Sequence, residues 1–251
     1  MNPVLSIIIL TCNQRDYTVR CLESLNSLLA DIDTEVLLID NGSTDNTRQD
    51  VEKLFPQVRY LKLGENIGVA GGRNVGLRNA RGEYVMLLDN DTVANSKAIY
   101  GLLDYLKSHP QVGLVAPRLM SPEGVLQKSW KEFPGLGVKM RNVLTRGRSS
   151  HYANEEVTFD IEPYYVIGAA QMFQRRMIDE VGYLDESIFY GPEDADFCER
   201  IRRRGYRVVY HPDESIIHDW QRMTTRKVWS KTAFRHIRGL LHFYWKHKRI
   251  W

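Results

Sequence analysis

The stretch Tyr84-Val85-Met86-Leu87-Leu88-Asp89-Asn90-Asp91-Thr92 decides how the rest of the chain is read. Five apolar residues run without a break behind Gly82-Glu83. An apolar run of this length reads as a strand buried on both faces. It stops at two aspartates separated by one asparagine. Side chains two apart on an extended chain point the same way, so Asp89 and Asp91 offer two carboxylates to one spot. Hard oxygen donors of this kind suit Mg²⁺ or Mn²⁺. The carboxyl end of a central strand is also where open α/β sheets bind ligands. The competing reading is that both aspartates merely cap a helix beginning near Asn95 or Ser96.

Working outward, apolar runs alternate with helix-periodic segments on both sides. Val4–Leu10, Glu35–Asp40, Val58–Leu63, 84–88 and Val112–Ala116 read as strands. Tyr17, Cys21, Leu25 and Leu28 recur at helical spacing, a Gly-rich helix is expected over Gly68–Ala80, and another over 96–108. This is the α/β pattern of a doubly wound, mostly parallel sheet with helices on both faces. After Pro117 the regularity breaks. Ser121-Pro122-Glu123-Gly124 has turn chemistry, and residues 130–160 read as a mobile loop or lid. Tyr164–Gln174, Tyr206–Tyr210 and Ser215–His218 read as extended pieces, and Asp194–Arg204 as a helix opened by acids and closed by bases.

The polar residues at the strand ends define the candidate site. Thr11 and Asn13 follow the first strand, Asp40 and Asn41 the second, and Arg73 and Asn74 lie near the start of the Gly-rich helix. In a doubly wound sheet these converge with Asp89 and Asp91 on one crevice. An aspartate such as Asp40 can accept an imide N–H of a base, and an arginine such as Arg73 can pair with phosphate oxygens. The run Gly68-x-x-Gly71-Gly72-x-x-x-Gly76 does not fit G-x-G-x-x-G, which excludes a dinucleotide fingerprint. In Gly191-Pro192-Glu193-Asp194-Ala195-Asp196, three carboxylates crowd a helix start. Dipole stabilisation needs fewer, so a general base is expected there. His218 is placed to reach the metal as an imidazole ligand; the alternative is a structural histidine.

The 251 residues carry a net charge of +3, unevenly spread. No acid follows Asp219, whereas nine Lys or Arg lie between Arg222 and Arg249. The remainder carries 25 bases against 31 acids, a net of −6. An acidic body makes a nucleic-acid partner unexpected. No run approaches the roughly 18 to 20 apolar residues of a membrane span, and no secretory leader is seen. Cys12, Cys21 and Cys198 are odd in number, without CxxC spacing, and read as reduced thiols of a cytoplasmic protein. In the tail, Trp229, Ala233, Ile237, Leu240, Leu241 and Tyr244 form one helical stripe, and Lys231, Arg235, Arg238, His242, Lys246 and Arg249 another. The helix ends in Trp245, Ile250 and Trp251. Such a helix suits an anionic membrane surface, and equally packing on the body or on a second subunit.

Six blocks now stand in order: Ser6–Asn13, Leu38–Asp45, Gly71-Gly72-Arg73-Asn74-x-Gly76, Leu88–Asp91, Glu193-Asp194-x-Asp196, and His218. Together they resemble glycosyltransferase family 2, inverting enzymes of the GT-A fold, and look most like its rhamnosyltransferase-like branch. The resemblance covers residues 4–220. It implies a GT-A catalytic domain over 1–220, with a nucleotide-sugar-binding half at 1–116 and an acceptor half at 117–220, followed by the basic helix of 221–251. It implies a metal-dependent transfer from a nucleoside diphosphate sugar, such as dTDP-rhamnose or a UDP-hexose, to a glycan or lipid-linked acceptor in cell-surface polysaccharide or glycolipid assembly. Asp194 is then the base. Asp89, Asp91 and His218 hold Mn²⁺ or Mg²⁺, and Thr11, Asn13, Asp40, Arg73, Asn90 and Glu193 contact substrate. The expected location is cytoplasmic, peripheral on the inner face of the membrane. No membrane-spanning helices follow the catalytic domain, which favours addition of a single sugar over processive synthesis. The rivals are a sugar-phosphate nucleotidyltransferase, which would want a basic Gly-rich loop where Thr11-Cys12-Asn13-Gln14 stands, and a noncatalytic sugar-nucleotide-binding protein.

Overall fold

The computed structural model describes residues 3–29, 33–135, 137, 156–220 and 231–249. The central run forms β4 (Tyr84–Asp89), flanked by β1 (Leu5–Thr11) and, beyond it, β2 (Thr34–Asp40) and β3 (Arg59–Lys62). These four strands are parallel, in the order β3-β2-β1-β4. The short helices α1 (Arg15–Ser24) and α2 (Asn26–Leu29), then α3 (Thr47–Leu54) and the Gly-rich α4 (Gly68–Asn79), connect them. Strand order reverses on either side of β1, so its carboxyl end opens a crevice beside that of β4.

The other half follows as β5 (Thr92–Val93), α5 (Ser96–Ser108), β6 (Val112–Met120), β7 (Leu126–Gln127), β8 (Trp130–Lys131), β9 (Tyr165–Val166) and β10 (Ala170–Gln174). Then come α6 (Arg176–Val181), α7 (Glu193–Arg203), β11 (Arg207–His218) and α8 (Lys231–His247). The main sheet continues β4-β10-β6-β11-β5, with β7 pairing β6. Strand β10 runs antiparallel between β4 and β6. The sheet is therefore mixed and mostly parallel, as expected, but the sequence pattern did not reveal which strand separates 84–89 from 112–120.

Alternation along β1 shows how both faces are filled. Ile7 and Ile9 join the core under α1 and α5, while Ile8 faces the core under α4 and α7. The glycines of α4 serve this packing. A Cβ on Gly72 would come within 2.4 Å of Leu10 Cδ1, and one on Gly76 within 2.4 Å of Ile8 Cγ2. The helix lies too close to β1 for side chains there, which accounts for a Gly-rich run without the dinucleotide fingerprint.

Several boundaries differ from the sequence reading. Strand β6 does not end at Ala116 but passes through Pro117 to Met120. Its partner β11 shifts register between His211 and Ser215, beside Pro117, so the missing N–H falls where the ladder is already broken. The two extended pieces expected at 206–210 and 215–218 are one strand with that irregularity inside it. Conversely, Tyr164–Gln174 is two strands, interrupted at Ile167–Ala169. The turn at 121–124 is present: Gly124 N donates to Ser121 O at 2.9 Å and Ser121 N to Val125 O at 2.8 Å. Of the expected lid, residue 136 and residues 138–155 lie outside the described residues. So do 221–230, 250 and 251, and with them Trp229, Ile250 and Trp251 of the expected tail stripes. Among the described residues no helix is long and apolar enough to cross a membrane.

Candidate active site

Parallel register brings the strand-end residues to one edge. Thr11 lies opposite Asp40, and Leu10 opposite Asp89. The antiparallel pairing of β11 with β5 sets His218 opposite Thr92, next to Asp91. One ligand atom each of Asp89, Asp91 and His218 lies within 4.8 Å of the others. The helix that follows is capped by Asn95, whose side chain accepts Ala98 N at 2.8 Å. The aspartates are therefore not needed as caps.

These residues fit a divalent cation. Asp91 Oδ1 is buried and has no hydrogen-bond partner, an arrangement that costs stability unless something cationic completes it. It sits 3.4 Å from His218 Nε2. The orientation of His218 is fixed by a residue that the sequence gave no reason to choose, Gln127. Gln127 Nε2 donates to the His218 carbonyl at 2.7 Å, so its Oε1 faces His218 Nδ1 at 2.8 Å. Nδ1 must then carry a proton, and Nε2 is the nitrogen turned toward Asp91. No motif marks Gln127; its one sequence signal is a polar residue, buried here, in the short strand after the 121–124 turn. Burial disfavours charge on His218, but the Asp91 carboxylate beside its Nε2 and the charge of Asp89 outweigh it and raise its pKa.

Arg73 connects this cluster to the acidic helix start. It is buried, donates to Asp89 Oδ1 at 2.6 Å and to Gly168 O at 2.8 Å, and lies 3.7 Å from Glu193 Oε1. A Cβ on Gly168 would sit 2.5 Å from the Arg73 guanidinium and would have to displace it. The interruption between β9 and β10 thus supplies the backbone groups that the site uses. Gly168 also donates its N–H to Asp194 Oδ2 at 3.3 Å.

The three acids that open α7 have three destinations. Asp194, half-buried, points to Gly168 and also accepts Ala195 N at 2.8 Å. Glu193, buried, accepts Gly191 N at 2.5 Å and faces Arg73. Burial and the Asp194 charge push its carboxyl up to about 7 against the pull of Arg73. Asp196, fully buried, turns away from the crevice to the tail helix. It accepts Lys246 Nζ and His247 Nε2, both at 2.8 Å, and Arg200 Nε at 2.9 Å.

On the other side of the crevice, Asp40 is buried, accepts Ser43 N at 2.7 Å and is held by the Tyr60 hydroxyl. Asn13 has a positive φ of 53°, and its Oδ1 accepts Thr44 N at 2.8 Å. Thr11 and Asn90 are buried together: Asn90 Nδ2 donates to Thr11 Oγ1 at 3.2 Å and to Thr18 Oγ1 at 3.1 Å. Those two therefore brace the loops after β1 and β4.

The parallel half of the sheet thus carries an Asp-x-Asp pair at its switch point, joined through Arg73 to an acidic helix start. Residues 6–182 match the glycosyl transferase family 2 profile, and the chain belongs to that family. It is a glycosyltransferase. It is 28% identical over 269 residues to the N-acetylglucosaminyl-diphospho-decaprenol L-rhamnosyltransferase of Mycobacterium tuberculosis, spanning all of this chain and 87% of that protein. That similarity bears out the rhamnosyltransferase-like resemblance. The poly-beta-1,6-N-acetyl-D-glucosamine synthase of Staphylococcus aureus is 29% identical over 183 residues, 71% of this chain and 41% of the synthase. Among solved structures, the mannosyltransferase PcManGT of Pyrobaculum calidifontis, in complex with GDP-Man and Mn²⁺, superposes with a TM-score of 0.64 at 20% identity. It covers 99% of this chain and 65% of its own. GalNAc-T7 with UDP, GalNAc and Mn²⁺ gives 0.68 at 15%, over 96% of this chain and 48% of its own. These structures establish the GT-A fold.

Proposed function

We propose that this glycosyltransferase is metal-dependent and inverting, moving a sugar from a nucleoside diphosphate sugar to an acceptor hydroxyl in cell-surface glycan assembly. The observation that carries the reading is the junction at Arg73 and Gly168, which ties the Asp89–Asp91–His218 cluster to Asp194. On this reading Asp89, Asp91 and His218 hold Mn²⁺ or Mg²⁺, with Gln127 orienting the imidazole. The cation, when bound, neutralises charge on the departing diphosphate. Asp40 and Asn13, held by the loop after β2, are the candidate contacts for the base and ribose. Thr11, Asn90, Arg73 and Glu193 are buried at the floor and shape the pocket from below. Asp194 takes the proton of the acceptor hydroxyl as it attacks the anomeric carbon, and its hydrogen bond from Gly168 keeps the carboxylate aimed. One base serves one displacement, so the configuration inverts.

The M. tuberculosis relative is named for L-rhamnosyl transfer to N-acetylglucosaminyl-diphospho-decaprenol. That name supports a lipid-linked acceptor and a rhamnosyl donor, and on this reading the donor is dTDP-rhamnose-like and the enzyme works at the inner face of the membrane. Asp194→Asn tests the core of the reading. It keeps the shape and the acceptor oxygen for Gly168 but removes the basicity. Transfer should fall about 10²-fold or more while Mn²⁺ and donor affinity stay within twofold. Near-full rate in the Asn variant, or an anomeric coupling that reports retention in the wild-type product, would sink it.

A further inference from the structure

Helix α8 has two faces with different fates. Phe243 and His247 are buried and Leu240 is half-buried, and this side packs with Ala195 at the start of α7. His242 and Lys246 reach Asp185 at 3.0 and 2.7 Å, and Arg235 stacks over the Phe189 ring at 3.8 Å. Turned away from the body are Phe234, Ile237, Leu241 and Trp245, 70, 54, 64 and 78% exposed. Their spacing of three, four and four residues makes one continuous stripe. Arg238 and Lys248, both exposed, flank it, and the stretch from Trp220 to Trp251 contains no acid.

We propose that this stripe is a docking surface for an anionic lipid bilayer, with α8 lying in the headgroup plane. An apolar stripe bordered by cations and closed by a tryptophan has the amphipathic chemistry of that interface. Charge complementarity selects the bilayer over a second copy: pairing α8 with the α8 of another copy would bring two basic helices together, with no acid on either to offset the repulsion. The inner side of the same helix packs on the entrance to α7. His236 lies against Gly191, where a Cβ would come within 2.9 Å of its ring, and Phe189 in that loop accepts Val69 N at 2.8 Å. The docked helix therefore holds the Asp194 side of the crevice next to the membrane, where the headgroup of a lipid-linked acceptor would lie. This rests on the proposed transferase reading only for the identity of the acceptor.

The test is flotation of the full chain with phosphatidylglycerol/phosphatidylcholine vesicles, compared with L241S/W245S. Both side chains are exposed, so the double variant should keep the wild-type Tm and rate of donor turnover. Wild type should float with the anionic vesicles, lose binding in 1 M NaCl, and bind pure phosphatidylcholine at least tenfold more weakly. The variant should lose at least tenfold in partition. Equal partition of the two proteins overturns the proposal. So does a wild-type dimer in solution that the variant converts to a monomer, since the stripe would then cover a second copy. Lipid partition is read without transfer, so a chain that floats yet transfers no sugar to a lipid-linked acceptor counts against the proposed acceptor alone.

Discussion

Gln127 is the residue whose role the geometry makes most specific. It holds His218 through both ends of its amide, and Gln127→Leu removes both hydrogen bonds while keeping volume. Partners that orient a ligating histidine typically contribute about 10- to 100-fold in metal affinity. Mn²⁺ affinity of the variant, measured by titration calorimetry, should fall within that range with the fold intact; unchanged affinity would return Gln127 to a packing role. Glu193 gives a pH-dependent expectation. Burial, with the charge of Asp194, holds its pKa at about 7, above its unfolded value near 4.3. The folded state then binds the extra proton, and stability falls as pH rises from about 4 to 7. Glu193→Gln removes that loss, so its Tm relative to wild type should be higher at pH 8 than at pH 5. A gap independent of pH would contradict the assignment.

Among the elements, α8 is attached by two buried or half-buried aspartates. Burial opposes charge on Asp196, but the hydrogen bond from His247 and the charges of Arg200 and Lys246 overcome it and lower its pKa. Asp185 is lowered likewise, against its burial, by Lys246 and His242. Depressed carboxylates stabilise the fold above their unfolded pKa near 3.9, and this contribution is lost as pH falls through the folded values. Attachment of α8 should therefore weaken below about pH 4, read as a rise in hydrogen exchange over 234–249, and Asp196→Asn should raise that exchange already at neutral pH and make it less dependent on pH. The same helix distinguishes packing from surface. Phe243→Ala should cost about 3–5 kcal/mol in denaturant unfolding, because it opens a cavity between α7 and α8, whereas Trp245→Ser should change stability by less than about 0.5 kcal/mol. Comparable losses for the two would mean that α8 is not seated as described.

Across the whole molecule, two cores on opposite faces of one sheet leave the three cysteines unpaired. Burial pushes the Cys21 and Cys198 thiols up to about 12, while Cys12 is half-exposed in the loop after β1. Thiolates react and thiols do not. Native protein should therefore take one equivalent of iodoacetamide, at Cys12, and three after denaturation, counted by mass spectrometry. Labelling at Cys198 in native protein would show that α7 opens in solution.

The unbroken apolar runs and helical periodicity of residues 4–116 were enough to read the strands and helices of that stretch, because parallel strands buried on both faces are long apolar runs and their polar residues mark their ends. Asp89, Asp91, Asp194 and His218 were legible for the same reason, each standing at the end or start of an element. Tertiary structure decided what pattern cannot encode. The antiparallel β10 inserts between β4 and β6, and an edge-to-edge choice of partner leaves no period in either strand. β6 crosses Pro117 because its partner is irregular at the same level, a fact that lies in β11. Three adjacent acids looked alike in sequence, yet Glu193 meets Arg73, Asp194 meets Gly168 and Asp196 meets His247, since successive helical positions point about 100° apart. Gln127 entered the site through a contact 91 residues away. The tail stripes read from sequence mixed residues that pack with residues that face outward, because amphipathicity fixes that a helix has an apolar side but not how wide a strip of it the body covers.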